Sequence, residues 1–312
     1  MSETPARALV TGANGFAGAA ICRHLRDRGW TLRGSVRSAA AKVPEGIEKI
    51  VVGEIDESTD WSAALADVDA VVHCAARVHV LRETAADPLA AFRRVNVAGS
   101  RALAAQAAAA GVRHFVFLSS IGAAVAEREP ATASPYQQSK LEAEAALREA
   151  AGGMVLVILR PPLIYGPGAP GNFRRLARLV AAGRPLPLAA IDNKRSLLFV
   201  GNLAGAVEAA LACAASPGAP LALCDGEDLS TPELARRIGR ACGRPVRLFA
   251  LPLFLLKGAG SLLGRGDAVA ALAGSLTVDN GPIRKSLGWS PAFGVEEGLA
   301  MTFRDPQQDA AR

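Results

Sequence analysis

Five cysteines (Cys22, Cys74, Cys213, Cys224, Cys242) form no Cys-x-x-Cys pair and show no metal-ligand spacing. That argues against a zinc ribbon or a dithiol redox motif. Several lie in apolar runs, where a free thiol behaves as a small hydrophobe, and the set suits a reducing cytoplasm. There is also no basic stripe with interleaved aromatics. The net charge of +6 is spread along the chain, which fits a basic surface with a pocket for an anionic small molecule better than a nucleic-acid interface. The first residues lack a basic, then apolar, then small-residue pattern, so no secretory signal is expected. The most hydrophobic stretch, Leu248 to Leu263, is broken by Pro252, Lys257, Gly258 and Gly260. It reads as a buried helical hairpin rather than a membrane span. No internal repeat or low-complexity tract stands out. The 312 residues, 50% apolar and 21% charged, suffice for one large core plus a smaller domain.

What is present is an alternation. Short runs at Ala8–Val10, Leu32–Val36, Ile50–Val52, Ala70–Cys74, Phe115–Leu118 and Val155–Leu159 read as strands, most of them apolar on both faces. Phe16–Arg28, Trp61–Ala66, Pro88–Ala110 and Gln137–Ala151 read as helices. Pro88 opens one, and Gly29 and Gly111 close two. Strict alternation predicts an α/β Rossmann-type, doubly wound parallel sheet over residues 1–166. After the turn-rich Gly166-Pro167-Gly168-Ala169-Pro170-Gly171 the rhythm changes. Residues 167–312 read as a smaller mixed α/β substrate domain, with roughly 197–222 returning to the first domain. The tail Asp305–Arg312 is polar and expected to fray.

Gly12, Gly15 and Gly18 follow the first strand and open a helix. In that place the first glycine permits a tight turn and the second lets backbone approach a pyrophosphate. The third lets helix and strand pack closely. The helix start then aims N–H groups at the phosphates. At the end of the second strand, where an NAD enzyme usually offers an acid for the ribose diol, the chain reads Gly34-Ser35-Val36-Arg37-Ser38. Arg37 suits a 2′-phosphate instead, so NADP is expected ahead of NAD. Glu54 and Ile55 are expected beside the adenine. His73-Cys74-Ala75-Ala76 ends a strand with residues small enough for a dinucleotide to pass.

Tyr136 and Lys140 are four residues apart, one helical turn, and so share a face. A phenol of pKa about 10 is a poor acid–base group near neutrality; an ammonium beside it stabilises the phenolate. The same lysine can reach a dinucleotide ribose. A hydroxyl should also hold the substrate oxygen. The strand Phe115–Leu118 ends in Ser119 and Ser120, of which Ser120 is favoured.

These pieces resemble the extended short-chain dehydrogenase/reductases of the sugar-nucleotide epimerase/dehydratase family. The matching segments run from Thr11 to Gly18, His73 to Ala76, Asn96 to Gly99 and Ser119-Ser120. Tyr136 with Lys140, Arg160 to Pro167, Arg195 to Leu203 and Leu287 to Pro291 complete the set. Val78 to Glu83 and Gly171-Asn172-Phe173 look closest to bacterial enzymes acting at C4 of UDP-hexoses and UDP-N-acetylhexosamines, epimerases and 4-keto reductases of polysaccharide synthesis among them. The resemblance implies Ser120, Tyr136 and Lys140 as the catalytic set. For the cofactor it implies Gly12, Asn14, Gly15, Phe16, Ala17, Gly18, Cys74, Ala75, Ala76, Asn96, Lys140 and Pro162. For the nucleotide diphosphate it implies Asn172 and Arg195, joined by Arg265 and Asp279. It further implies a homodimer in which the Pro88–Ala110 and Gln137–Ala151 helices pair across a two-fold axis.

Three departures matter. Ile121-Gly122 stands where family dehydratases carry an acidic pair, which disfavours dehydration. Ser120 and Tyr136 are only 16 positions apart, shorter than the family usually shows. Gln137 replaces the glycine common after the tyrosine. Arg37 and the missing acid at the end of the second strand make reduction of a UDP-4-keto-hexose or -hexosamine the expected activity. The alternatives are a UDP-glucose or UDP-N-acetylglucosamine 4-epimerase with retained NAD, a reductase of another ketone, and a non-catalytic dinucleotide sensor.

Overall fold

The computed structural model describes residues 6–78, 86–262, 266 and 272–304. The motif residues 79–83, Arg265 and the polar tail lie outside the described residues. The chain divides into two compact units. One runs to Pro161 and takes in Leu203–Leu223 and Asn280–Ser290. The other comprises Pro162–Asn202, Cys224–Asp279 and the chain from Pro291.

The first unit is built on seven strands: β1 (Arg7–Thr11), β2 (Thr31–Val36), β3 (Glu48–Val51), β4 (Ala70–His73), β5 (His114–Leu118), β6 (Val155–Arg160) and a short β9 (Leu221–Ala222). Their order is β3-β2-β1-β4-β5-β6-β9, and every pairing is parallel. Parallel strands need crossovers that cover both faces, so both faces of the strands must be apolar. Leu9, Val71, Phe115, Phe117 and Ile158 point to one side, into a core with Trp61, Leu103, Ala143 and Leu147. Their neighbours Ala8, Val10, Val72, Val116 and Val157 alternate to the other side and are fully buried too. β3 is the edge, and there the pattern lapses: Val51 is exposed.

The helices are α1 (Phe16–Asp27), α2 (Ser62–Leu65), α3 (Pro88–Arg93), α4 (Ser100–Ala109), α5 (Ile121–Arg128) and α6 (Pro135–Ala150). The single helix expected over Pro88–Ala110 is interrupted by a π-helical turn, Arg94–Gly99. It turns Asn96 inward, and it seats Gly99 where an added Cβ would stand 2.6 Å from Ile55 Cγ2. Asp87 and Ser134 cap α3 and α6 through their side chains.

The second unit holds a three-stranded sheet. In it β8 (Arg195–Phe199) runs parallel to β7 (Leu163–Tyr165) and antiparallel to β10 (Asp228–Leu229). The strand at Leu197, expected to return to the first domain, belongs to this sheet; the chain re-enters the first unit at Leu203, inside α8 (Val200–Leu211). Tyr165 is fully buried between Phe173 and Phe199. α7 (Gly171–Ala181) and α9 (Thr231–Ala241) pack here on strongly amphipathic faces. α10 (Leu253–Leu262) corrects the expected buried hairpin: Phe254 is 72% exposed and Leu255 48%. No helix among the described residues is long and apolar enough to cross a membrane. α11 (Gly281–Leu287) and α12 (Val295–Phe303) complete the described chain.

Candidate active site

In the strand order β3-β2-β1-β4-β5-β6 the direction of winding reverses between β1 and β4. Open α/β sheets bind ligands at the carboxyl ends of the two strands flanking such a reversal. Here those ends are Thr11 and His73. Gly12 follows with φ +65°, a left-handed conformation that favours glycine. A Cβ there would stand 3.1 Å from the Ala75 backbone. Gly15 N–H donates to the Gly12 carbonyl at 2.8 Å, and Gly18 leaves no room for a Cβ against that same oxygen. Gly15 is the N-cap of α1, with no side-chain cap and no acid in the first turn. Asn14 and Gly15 are exposed, and Phe16 and Ala17 are half-buried. A cradle that side chains would fill, opening on the positive end of a helix, fits a dinucleotide pyrophosphate.

Behind the cradle the two strand ends are stapled together. Thr11 Oγ1 accepts the N–H groups of Cys74 (3.1 Å) and Ala75 (3.0 Å). Its own proton is therefore left to donate to His73 Nδ1 at 2.7 Å. His73 Nε2 then carries the ring proton and donates to Ser100 Oγ at 2.8 Å. The imidazole stacks on Phe117, and burial pushes it down to about 3, with Lys140 adding to the effect. Asn96 completes the frame. Its side chain exchanges two hydrogen bonds with the Arg77 backbone and donates to Ser139 of α6 at 2.9 Å.

At the end of β2, Arg37 is exposed and pairs with Glu54 at 3.4 Å. The sequence placed both residues at an adenosine site; the structure brings them together as an ion pair. Ile55, next along, is half-buried against the core of the first unit.

Residues 118–120 and one face of α6 form the centre of the arrangement. Ser120 caps α5 by accepting the Gly122 N–H at 3.0 Å. Its O–H is then left for the Tyr136 phenol, on which it acts to favour the phenolate. Burial pushes Tyr136 up and Ser120 opposes this. One turn on, Lys140 is buried, donates to the Leu118 carbonyl at 2.7 Å, and lies 4.3 Å from the Phe117 ring centroid. Burial lowers it to about 8, against the pull of Glu144. Ser119 is committed elsewhere, donating to Glu144 at 2.5 Å, which leaves Ser120 as the hydroxyl beside the phenol. Gln137 has a local reason: it closes a capping box with Ser134, and its stem fills the space a Cβ on Gly122 would need, at 2.8 Å.

The diphosphate candidates belong to the second unit. Arg195 opens β8 and is half-buried, which lowers its pKa. It donates to the Gly274 carbonyl at 3.1 Å. Leu276 pairs with this strand, and the exposed Asp279 follows three residues on. Asn172 is exposed in the first turn of α7 and accepts from Arg175 at 3.4 Å. Pro162, assigned to the cofactor by sequence, opens this unit and is buried.

Two features escaped the sequence reading. α5 was missed, although Ser120 followed by Gly122 is a capping signal. Glu144 was also missed: it is fully buried and bonded to Arg160 through both carboxylate oxygens. Its signal was the spacing Tyr136, Lys140, Glu144, one charged or polar group per turn.

Comparison with known proteins agrees with this architecture. The sequence model of the NAD dependent epimerase/dehydratase family matches residues 8–220. The UDP-glucose 4-epimerase of Vibrio cholerae is 38% identical, over 96% of this chain and 95% of its own. The ceramide reductase of Caulobacter vibrioides is 30% identical, over 96% and 92%. MoeE5, solved in complex with UDP-glucuronic acid and NAD, shares the fold at a TM-score of 0.73 and 23% identity, over 95% and 97%.

Proposed function

Because the chain belongs to the NAD dependent epimerase/dehydratase family, we propose that it is an oxidoreductase acting at C4 of a nucleotide sugar. Its reaction is reduction of a UDP-4-keto-hexose or -hexosamine. The observation that carries this reading is Tyr136 one turn of α6 from a buried Lys140, which donates to the strand end Leu118 beside Ser119 and Ser120. A bound nicotinamide dinucleotide supplies the hydride. Ser120 holds the carbonyl oxygen, and Tyr136 gives its proton to the oxygen as the alkoxide forms. The phenolate left behind sits near the Lys140 ammonium and regains its proton from solvent, which closes the balance. Gly12, Gly15 and Gly18 would hold the pyrophosphate. Arg37 would take a 2′-phosphate, which favours NADP. Arg195 and Asn172 would grip the UDP diphosphate, the planar guanidinium fork matching two oxygens at once.

The Vibrio relative favours a second reading, a 4-epimerase that retains NAD and returns the hydride to the opposite face of the keto sugar. The same side chains serve both. The test is to purify the protein and supply a UDP-4-keto-hexosamine with NADPH. Consumption of one NADPH per sugar supports the reductase. Tightly bound NAD, with interconversion of UDP-hexoses and no NADPH loss, supports the epimerase. Reduction of a lipid ketone, with no UDP affinity and no change on Arg195→Ala, would remove both.

A further inference from the structure

Tyr136, Lys140 and Glu144 occupy three successive turns of α6, and they engage three successive residues of the facing strand end: Ser120, Leu118 and Ser119. We propose that Glu144 is a positioning residue for the Tyr136–Lys140 pair, fixing this strand end on the helix and holding Lys140 in its ammonium form. Glu144 is 0% exposed and Lys140 2%. The carboxylate accepts the Ser119 hydroxyl and Arg160 Nε on Oε1 (2.5 and 2.9 Å), and Arg160 Nη2 on Oε2 (2.7 Å). Ser119 adjoins Ser120, so the clamp fixes where the Ser120 hydroxyl meets the phenol.

The charges support the electrostatic half of the proposal. Lys140 is faced by the Leu118 carbonyl and Phe117 ring of β5, by His73 at the end of β4 and Cys74 just after it, and by Glu144 of its own helix. Cys74 is pushed up to about 12 and His73 down to about 3, so both are neutral near pH 7. Among the described residues, Glu144 is the one carboxylate acting on Lys140. Arg160 opposes it across the clamp, and its other edge holds Glu127, which is 61% exposed. Arg148 touches the rim of the carboxylate at 3.8 Å. A buried ion pair is poor evidence for stability, because desolvation offsets its attraction. Its use here is to set geometry and charge.

The test reads Lys140 directly. The chain has six lysines, so ¹³Cε-lysine labelling gives few resonances, and the one lost in Lys140→Arg is assigned. In the wild type its midpoint is expected near 8. Glu144→Gln leaves Arg160 bare, and the Lys140 midpoint should fall by about one pH unit or more. Arg160→Gln leaves Glu144 bare, and the midpoint should rise. A merely architectural role would leave both unmoved or move them the same way, and either result overturns the proposal. Should Glu144→Gln fail to fold, Arg160→Gln decides alone, and an unchanged or lowered midpoint sinks the idea. The inference rests on the placement of Lys140 at the reacting centre, but the titration needs no substrate. A protein that titrates as described yet reduces no nucleotide sugar would overturn that function and leave Glu144's role intact.

Discussion

Thr11 Oγ1 lies 2.7 Å from His73 Nδ1, and this bond joins the ends of β1 and β4 where the winding of the sheet reverses. Because Thr11 also accepts two backbone N–H groups, the imidazole is held neutral, with its proton on Nε2.

His73 should therefore stay uncharged throughout the physiological range. Its folded value is about 3 against an ordinary 6.5, so the unfolded chain takes up the proton first as pH falls. The stability it contributes is full above about 6.5 and drains as pH drops towards 3, by up to about 1.4 kcal/mol per pH unit. Urea unfolding at about pH 7 and about pH 5 checks this. The wild type should lose more stability between the two than His73→Gln does, and equal losses would contradict it.

Arg37 should decide cofactor choice. Its replacement by alanine removes a charge-assisted contact worth about 1.5–3 kcal/mol, so the Kd for NADPH should rise roughly 10- to 100-fold while that for NADH changes little. Glu54→Gln releases the guanidinium from its 3.4 Å partner and should tighten NADPH binding. Calorimetric titration with both dinucleotides measures each effect.

The alkaline limb of the rate profile should belong to Lys140. Its charge is lost as pH rises through about 8, whereas burial holds the Tyr136 phenol above its usual value of 10.0 and so protonated there. Activity should decline above about pH 8. Lys140→Arg, which cannot lose its charge in that range, should lower the rate but push the limb to higher pH.

Much of this was legible from residue order. The glycine turn, the strands and the Tyr136–Lys140 spacing depend on local rules, and the structure shows them within a residue or two of expectation. What stayed hidden depended on packing. Nothing local marks the π-helical turn at Arg94–Gly99, which follows from Gly99 meeting Ile55. Glu144 carries no motif of its own, and only the folding of Ser119 and Arg160 around it makes it a buried carboxylate. The apolar start of α10 read as core because hydrophobicity alone cannot tell a buried face from Phe254, which the structure exposes.

The most direct measurement is NADPH oxidation with a UDP-4-keto-hexosamine, comparing wild type with Tyr136→Phe. Loss of the phenolic proton should lower kcat by about 10²–10⁴-fold with UDP affinity unchanged. A Tyr136→Phe enzyme turning over at the wild-type rate would contradict the assignment of proton transfer to this residue.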